Sequence, residues 1–310
     1  MGDVAGIDRV VIVSKPTRLD ELVRQHFTLG AARFALESRE QSVERYEAED
    51  RAQRGALAEI RRQIPNDLPV TSLTREDLPA FLFRDKDLVV VCGPDGLFVN
   101  TAKYIANQLV LSVNPDPRTV AGVLMLFPPH AVGELIARIR AGHHRAERLP
   151  FIKATIDDDA VVWGVNDVFL GRRDQISARY AVSFAGQLEH QSSSGVIVSS
   201  GVGASGWLRS IATMAAGLNG VKSPRLLASL PHATSSELVF VVREAFPSPD
   251  TGTSIVTGRV RPDKPLSLIS EMPDGGCVFS DGIVEKAVDW PAGSRVTVTV
   301  GDRYVTRVVH

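Results

Sequence analysis

A chain of 310 residues with 44% hydrophobic and 23% charged residues has an ordinary globular composition, long enough for about two domains and a large buried core. A formal net charge of −1 supplies no global field toward nucleic acid or an anionic membrane. No apolar stretch approaches the ~18 residues of a membrane span. The two cysteines, Cys92 and Cys277, lack metal-ligand spacing and suggest no disulfide framework, which fits a reducing cytosol with Cys92 as a small core hydrophobe. The opening MGDVAGIDRVVIVSK lacks the basic start and long apolar core of a signal peptide. Gly2 begins no myristoylation motif, because Gly6 stands where Ser or Thr is wanted. A cytoplasmic protein that binds neither nucleic acid nor membrane is expected.

Val10 to Val13 is an apolar run and the first expected strand; Lys15-Pro16-Thr17-Arg18 comes next as a loop and Leu19 to Phe27 as a helix. Gly30 is expected to break or kink the chain beyond it. Ala31 to Ile64 places Phe34, Leu36, Val43, Ala56, Leu57 and Ile60 between alternating charges, which predicts one long helix with a solvated outer face, ended by Pro65.

The most informative segment is DLVVVCGPDGLFVN, Asp87 to Asn100. A short apolar run closed by Gly-Pro-Asp-Gly reads as a parallel strand, Leu88 to Cys92, ending in a loop. Ligands of open α/β sheets bind beyond the carboxyl ends of the strands, so Asp95 stands where a general base would be placed. Read alone, this turn is more often a tight turn with a solvent-facing Asp than a site. Thr101 to Gln108 is the next expected helix, Leu109 to Val113 another strand, Asn114-Pro115-Asp116-Pro117 a polar turn, and His130 to Gly142 a helix. Three βα-like units in the first 130 residues argue for a doubly wound parallel sheet.

After about Leu149 the texture becomes β-rich. Ile152 to Ile156, Ala160 to Trp163, Tyr180 to Phe184, Gly195 to Val198, Leu238 to Val242, Ser254 to Val260 and Arg295 to Val300 read as short strands, with turns at Asp157-Asp158-Asp159 and Gly301-Asp302. Ser205 to Leu218 is one helical interruption. Asn219 to Pro224 and Ser248 to Thr253 are expected to be the least ordered segments. The domains expected are an α/β, Rossmann-like residues 1–145 and a β-rich 146–310.

Four spaced features then read together: Gly93-Pro94-Asp95-Gly96-Leu97-Phe98; Val113-Asn114-Pro115-Asp116-Pro117; Gly164-Val165-Asn166-Asp167-Val168-Phe169; and Ser194 through Trp207, SGVIVSSGVGASGW. In this order and spacing the chain resembles the NAD kinase family, whose pattern runs Gly-Gly-Asp-Gly-Thr, then Asn-Glu, then Asp-Gly-Leu-Ile-Val-Ser-Thr-Pro-Thr-Gly-Ser-Thr-Ala-Tyr. Asp281-Gly282 corresponds to a terminal Asp-Gly. Ser193-Ser194-Gly195 and Trp207 bring it nearest the divergent branch that includes the mitochondrial NAD kinase.

The resemblance covers nearly the whole chain. It implies an α/β domain and a β-rich domain, transfer of the ATP γ-phosphoryl group to the 2′-hydroxyl of the adenosine ribose of NAD with Mg²⁺, and a homodimer or homotetramer. It assigns Asp95 as the base, and Gly93 and Gly96 as backbone donors to phosphate. Phe98, Asn166, Asp167, Ser194, Ser200, Gly203, Ala204, Ser205 and Trp207 become substrate contacts; no protein metal ligand is assigned. A carboxylate accepts hydrogen bonds from both ribose hydroxyls, and an amide both donates and accepts.

Several positions depart from the pattern. Pro94 stands where the family has a second Gly, and proline has no N–H to offer a phosphate. Leu97 replaces a Thr or Ser hydroxyl, Asp167 is one methylene shorter than Glu, and Ser194 replaces Asp. A lost charge-assisted donor costs ~1.5–3 kcal/mol, so these changes bear on ATP use more than on fold. Transfer to another nucleoside or sugar acceptor, and nucleotide binding without transfer, are the alternative functions. His143-His144 reads as a solvated helix end within a basic stretch, and His232 as a structural histidine.

Overall fold

The computed structural model describes residues 6–119, 122–221 and 230–310. Gly2 and residues 222–224 of the Asn219–Pro224 segment lie outside them. The chain divides into two compact units, Met1–Glu147 with Val305–His310, and Arg148–Tyr304. The last six residues, placed in the second domain by a linear reading, thus belong with the first unit.

The first unit is the expected α/β sheet. β1 (Arg9–Ser14), β2 (Val70–Thr74), β3 (Asp87–Cys92) and β4 (Leu109–Val113) run parallel in the order β2-β1-β3-β4. The end of the C-terminal strand is added beside β4, with Arg307 opposite Val110. Val10 to Val13 and Leu88 to Cys92 are each at most 1% exposed, as strands covered on both faces must be. Ala56 and Ile60 of α3 (Glu44–Gln63) join Val132, Leu135, Ile136 and Ile139 of α5 (Val132–Arg140) on Val10, Ile12, Leu88, Val90, Leu111 and Val113. These are alternate strand residues, as the two-residue side-chain period requires.

Three expectations here are corrected. The long helix is two, α2 (Leu29–Glu37) and α3, because the chain turns through Glu40 at φ 57 with the Arg39 and Gln41 N–H groups on the Leu36 carbonyl. Gly30 lies inside α2; the break comes earlier, at Phe27, which takes φ 67 and ends α1 (Arg18–His26) before the Thr28 hydroxyl caps α2. The helix expected over Thr101 to Gln108 is α4, Asp95–Ala102. Pro94 is preset as its N-cap, Asp95 complements its dipole, and Leu97, Phe98, Thr101 and Ala102 bury one side. Strand β2 was not foreseen, since its mostly exposed VTSLT carries little apolar signal at the sheet edge.

The second unit is the expected β-rich half. β5 (Arg145–Ile156) and β6 (Ala160–Gly164) form a hairpin, and β8 (Ala178–Phe184), β13 (Leu266–Ser270) and the first part of β16 (Arg295–Val309) pair antiparallel, with β9 (Gln187–Ser193) at the edge. A second antiparallel sheet has the order β12-β11-β10-β7-β14-β15, where β7 is Asp167–Arg172, β10 Val196–Ser199, β11 Leu238–Val242, β12 Thr257–Val260, β14 Gly276–Ser280 and β15 Val288–Asp289. Val182, Leu268 and Val298 of the first set share one buried cluster with Leu170, Val198, Phe240 and Val278 of the second. The helix α6 spans Trp207–Leu218.

Strand β16 runs straight through Gly301-Asp302, where a turn is expected. Glycine is there for space: a Cβ at 301 would sit 2.4 Å from the Trp163 ring and 3.0 Å from the Phe151 carbonyl. Ser248 to Thr253 is likewise an ordered turn, closed between Ser248 and Thr251 through backbone and hydroxyls. Among the described residues no helix is long and apolar enough to cross a membrane.

Asp87 opens β3 with a fully buried carboxylate, gripped by Arg9 at 2.9 and 2.5 Å and by the Arg84 N–H at 2.8 Å. Asp87→Ala strands the Arg9 guanidinium against the sheet. The expected loss is about 3 kcal/mol, read as a lower denaturation midpoint at unchanged m-value.

Candidate functional site

The residues singled out by sequence fall in both units, and each set has its own geometry. In the first unit Asp95 is half-buried at the first position of α4. Its Oδ2 accepts the Val123 N–H and its Oδ1 the Leu124 N–H, both at 3.0 Å. Each oxygen keeps a second lone pair. Gly96 is exposed in the same first turn, where helix N–H groups lack intrahelical acceptors.

Gly93 and Phe98 take other roles than those the resemblance assigns. The Gly93 N–H is bonded to the Val113 carbonyl at 3.3 Å, so it is not offered to a phosphate. Leu97 folds back over Gly93, its Cδ2 2.9 Å from where a Cβ would stand. Phe98 is 1% exposed beneath the Arg307 guanidinium, 5.8 Å from the ring centroid, and has no surface for a substrate.

In the second unit the centre is the turn between β6 and β7. The Asp281 carboxylate accepts the N–H groups of Val165, Asn166 and Asp167, at 2.7 Å for Asn166. Asp281 returns its own N–H to the Asp167 carbonyl. The loop after β10 is laced to the same turn: the Ser200 N–H reaches the Asn166 carbonyl at 2.9 Å, and the Ser200 hydroxyl donates to the Val165 carbonyl at 2.5 Å. That hydroxyl oxygen also accepts the Val202 and Gly203 N–H groups. A Cβ on Gly203 would lie 2.2 Å from the Asn166 carbonyl oxygen, so only glycine lets the two backbones approach. Ala204 is buried and Ser205 half-buried in the 3-10 turn beyond it.

Ser200 therefore acts as a clamp within the protein, and its hydroxyl is spent. The open valences lie beside it. Among the described residues, no donor reaches Oδ1 of Asn166 or Oδ1 of Asp167, and both atoms are buried. Burial pushes the Asp167 carboxyl up to about 7; the Ser199 hydroxyl opposes the rise and the Asp281 charge adds to it.

The remaining predicted contacts lie on the Phe169 side of this unit. Trp207 stacks on Phe169 with centroids 5.9 Å apart and planes at 15°, and the Arg243 guanidinium lies 5.5 Å from the Trp207 ring centroid. Ser194 is exposed, and with Phe169, Arg172, Asp174 and Arg243 it lines a cleft of about 180 Å³. It is not part of the Ser200 loop. His232 is exposed; its Nδ1 pairs with the Thr234 hydroxyl at 2.9 Å, and its carbonyl lies 1.9 Å from a Cβ built on Gly201. His144 is half-buried, its Nδ1 has no hydrogen-bond partner among the described residues, and burial lowers its pKa. Among the described residues no three His, Cys, Asp or Glu side chains converge to hold a metal ion. Sequence reasoning matched Asp281-Gly282 to a motif but did not foresee the triple N–H contact, nor Val123, Leu124 and Arg307.

No family model matches the chain, and no curated protein sequence does. Solved structures do. An NAD kinase from Archaeoglobus fulgidus in complex with ATP is similar with a TM-score of 0.57 at 15% identity, over 96% of this chain and 92% of that one. Yeast NADH kinase complexed with NADH is similar with a TM-score of 0.61 at 14% identity, over 98% of this chain and 84% of that one. The chain thus has the fold of the NAD kinases, as the sequence motifs implied.

The raised Asp167 pKa has a stability consequence. An unfolded Asp titrates near ~3.9, so between there and about 7 the folded state holds a proton that the unfolded state has released. Stability falls as pH rises through that window and levels off above it. Asp167→Asn is expected to flatten this slope, which denaturation midpoints measured from pH 4 to 8 will show; an unchanged slope assigns it to other groups.

Proposed function

We propose that this chain is an NAD kinase-type phosphotransferase, moving the γ-phosphoryl group of ATP to the 2′-hydroxyl of the adenosine ribose of NAD. One observation carries the reading: two adjacent buried acceptors, Asn166 Oδ1 and Asp167 Oδ1, have no protein donor among the described residues. A buried acceptor left open costs ~1–3 kcal/mol. A vicinal ribose diol brings two O–H donors to such a pair, and the Asp281 contact fixes the backbone that presents it.

Phosphoryl transfer asks the protein for a positioned hydroxyl, a proton acceptor and charge stabilisation. Asn166 and Asp167 orient the ribose. Asp95 takes the proton of the acceptor hydroxyl through the lone pairs left by Val123 and Leu124. The Gly96 end of α4 presents helix N–H groups to phosphate oxygens. A divalent cation would enter with the ATP substrate, chelated by its phosphates. The fold shared with an NAD kinase and an NADH kinase supports the nucleotide class at low identity.

A second reading has its own observation. With the Gly93 N–H bonded to Val113, Pro94 lacking an N–H and Leu97 buried, the turn offers fewer phosphate donors than a glycine-rich cradle. That favours binding of NAD or NADP without transfer.

The purified protein incubated with NAD, ATP and Mg²⁺ is expected to form NADP, monitored by a coupled dehydrogenase. Asp95→Asn is expected to keep NAD binding by calorimetry while turnover drops by about two decades or more. NAD binding with no NADP from the wild type selects the second reading; full activity in Asp95→Asn removes Asp95 from the chemistry.

A further inference from the structure

We propose that Arg307, anchored by Glu147, is a positioning residue for Asp95. The inference rests on the reading of Asp95 as the proton acceptor. Arg307 lies on the last part of β16 and is 6% exposed. Its Nε and Nη2 both donate to Glu147 Oε1, the Nε at 3.0 Å, and its Nη1 donates to the Leu124 carbonyl at 3.2 Å. Leu124 is the residue whose own N–H is bonded to Asp95 Oδ1. It is therefore held at both ends, by the guanidinium at its C=O and by the carboxylate at its N–H.

Arg307 also packs on the helix that carries Asp95. Its guanidinium lies over Phe98, three residues along α4 from Asp95 and on the same helix face. One side chain thus touches both the helix that carries the carboxylate and the bend at Val123 and Leu124 that orients it. Beyond Leu124 the segment is tied to β4 instead: the Leu126 N–H reaches the Ser112 hydroxyl at 3.2 Å, and the Phe127 N–H the Ser112 carbonyl at 3.0 Å. A buried ion pair adds little stability over well-packed apolar groups, because desolvation offsets the Coulomb gain. What it adds here is direction. A planar guanidinium serves a carboxylate and a carbonyl at once in a fixed fork, whereas an ammonium on a flexible stem sets no such direction.

The test uses Arg307→Gln, Arg307→Lys and Glu147→Gln in the full chain, with steady-state kinetics of NADP formation and NMR amide exchange at Val123 and Leu124. Arg307→Gln is expected to lower kcat roughly tenfold to hundredfold, with the KM for NAD little changed and Leu124 protection lost. Arg307→Lys is expected to recover part of the activity. Adding Arg307→Gln to Asp95→Asn is expected to cost nothing further, since the two act through one carboxylate. A folded Arg307→Gln with unchanged kcat, or losses that multiply with Asp95→Asn, overturns the proposal while leaving the kinase reading intact. If the wild type forms no NADP, that reading fails, and exchange alone decides: Leu124 protection retained in Arg307→Gln overturns the positioning role, and its loss supports it. Where Arg307→Gln does not fold, the same exchange criterion is applied to Glu147→Gln.

Discussion

Three consecutive backbone N–H groups converge on the Asp281 carboxylate, and the geometry of the second unit's candidate site depends on that contact. Charge-assisted bonds of this kind are about twice as strong as neutral ones, and three of them on successive residues leave the turn a single conformation. Asp281 reaches the turn from a left-handed φ of 53, which Asp tolerates better than most residues. Once Val165 to Asp167 are fixed, the Ser200 loop has a surface to close on. Gly203 comes within contact of the Asn166 carbonyl because nothing larger fits. The Asn166 and Asp167 side chains are then held with their Oδ1 atoms buried and, among the described residues, unpaired. A fold stabilised by satisfied polar groups leaves such a pair open only at a cost, and a ligand with two hydroxyl donors removes it.

The first unit solves a different problem. A carboxylate at the start of a helix is stabilised by the dipole, but its direction is free unless something holds it. Here the 123–124 amides hold it, and Arg307 holds them. Leu97 and Phe98, one closing over Gly93 and the other lying under Arg307, make the buried side of this turn a packed apolar support. The polar capacity lost from the turn at Pro94 and Leu97 is the reason transfer and binding must be separated by experiment, while the retained and oriented Asp95 is the reason transfer comes first.

Much of the fold was legible in the chain. Val10 to Val13, Leu88 to Cys92, Leu109 to Val113 and Leu238 to Val242 are uninterrupted or nearly uninterrupted apolar runs, and each became a strand because burial demands that composition. Strands β7, β9, β13 and β14 were not foreseen. Their short, mixed sequences become strands through pairing with distant neighbours, as Asp167 to Arg172 does between β10 and β14. The glycine at 301 reads as a turn because a sequence does not show that Trp163 will occupy the space beside it.

The sequence alone determined the α/β and β-rich order of the chain, the strand that delivers Asp95, and the spacing that placed Asn166, Asp167 and the Ser200 to Trp207 segment in one candidate set. These are local properties: apolar period, turn chemistry and motif distance are all written within a few residues. Only the tertiary structure decided that Asp95 begins a helix held by Val123 and Leu124, that Ser200 is a clamp, that Phe98 is packing, and that Asp281 and Arg307 control the two carboxyl-bearing turns. Asp281 acts on partners 114 to 116 residues away, and Arg307 on partners 160 and 183 residues away. A hydrogen bond is decided by distance and angle in space, and over such separations only the folded backbone sets them.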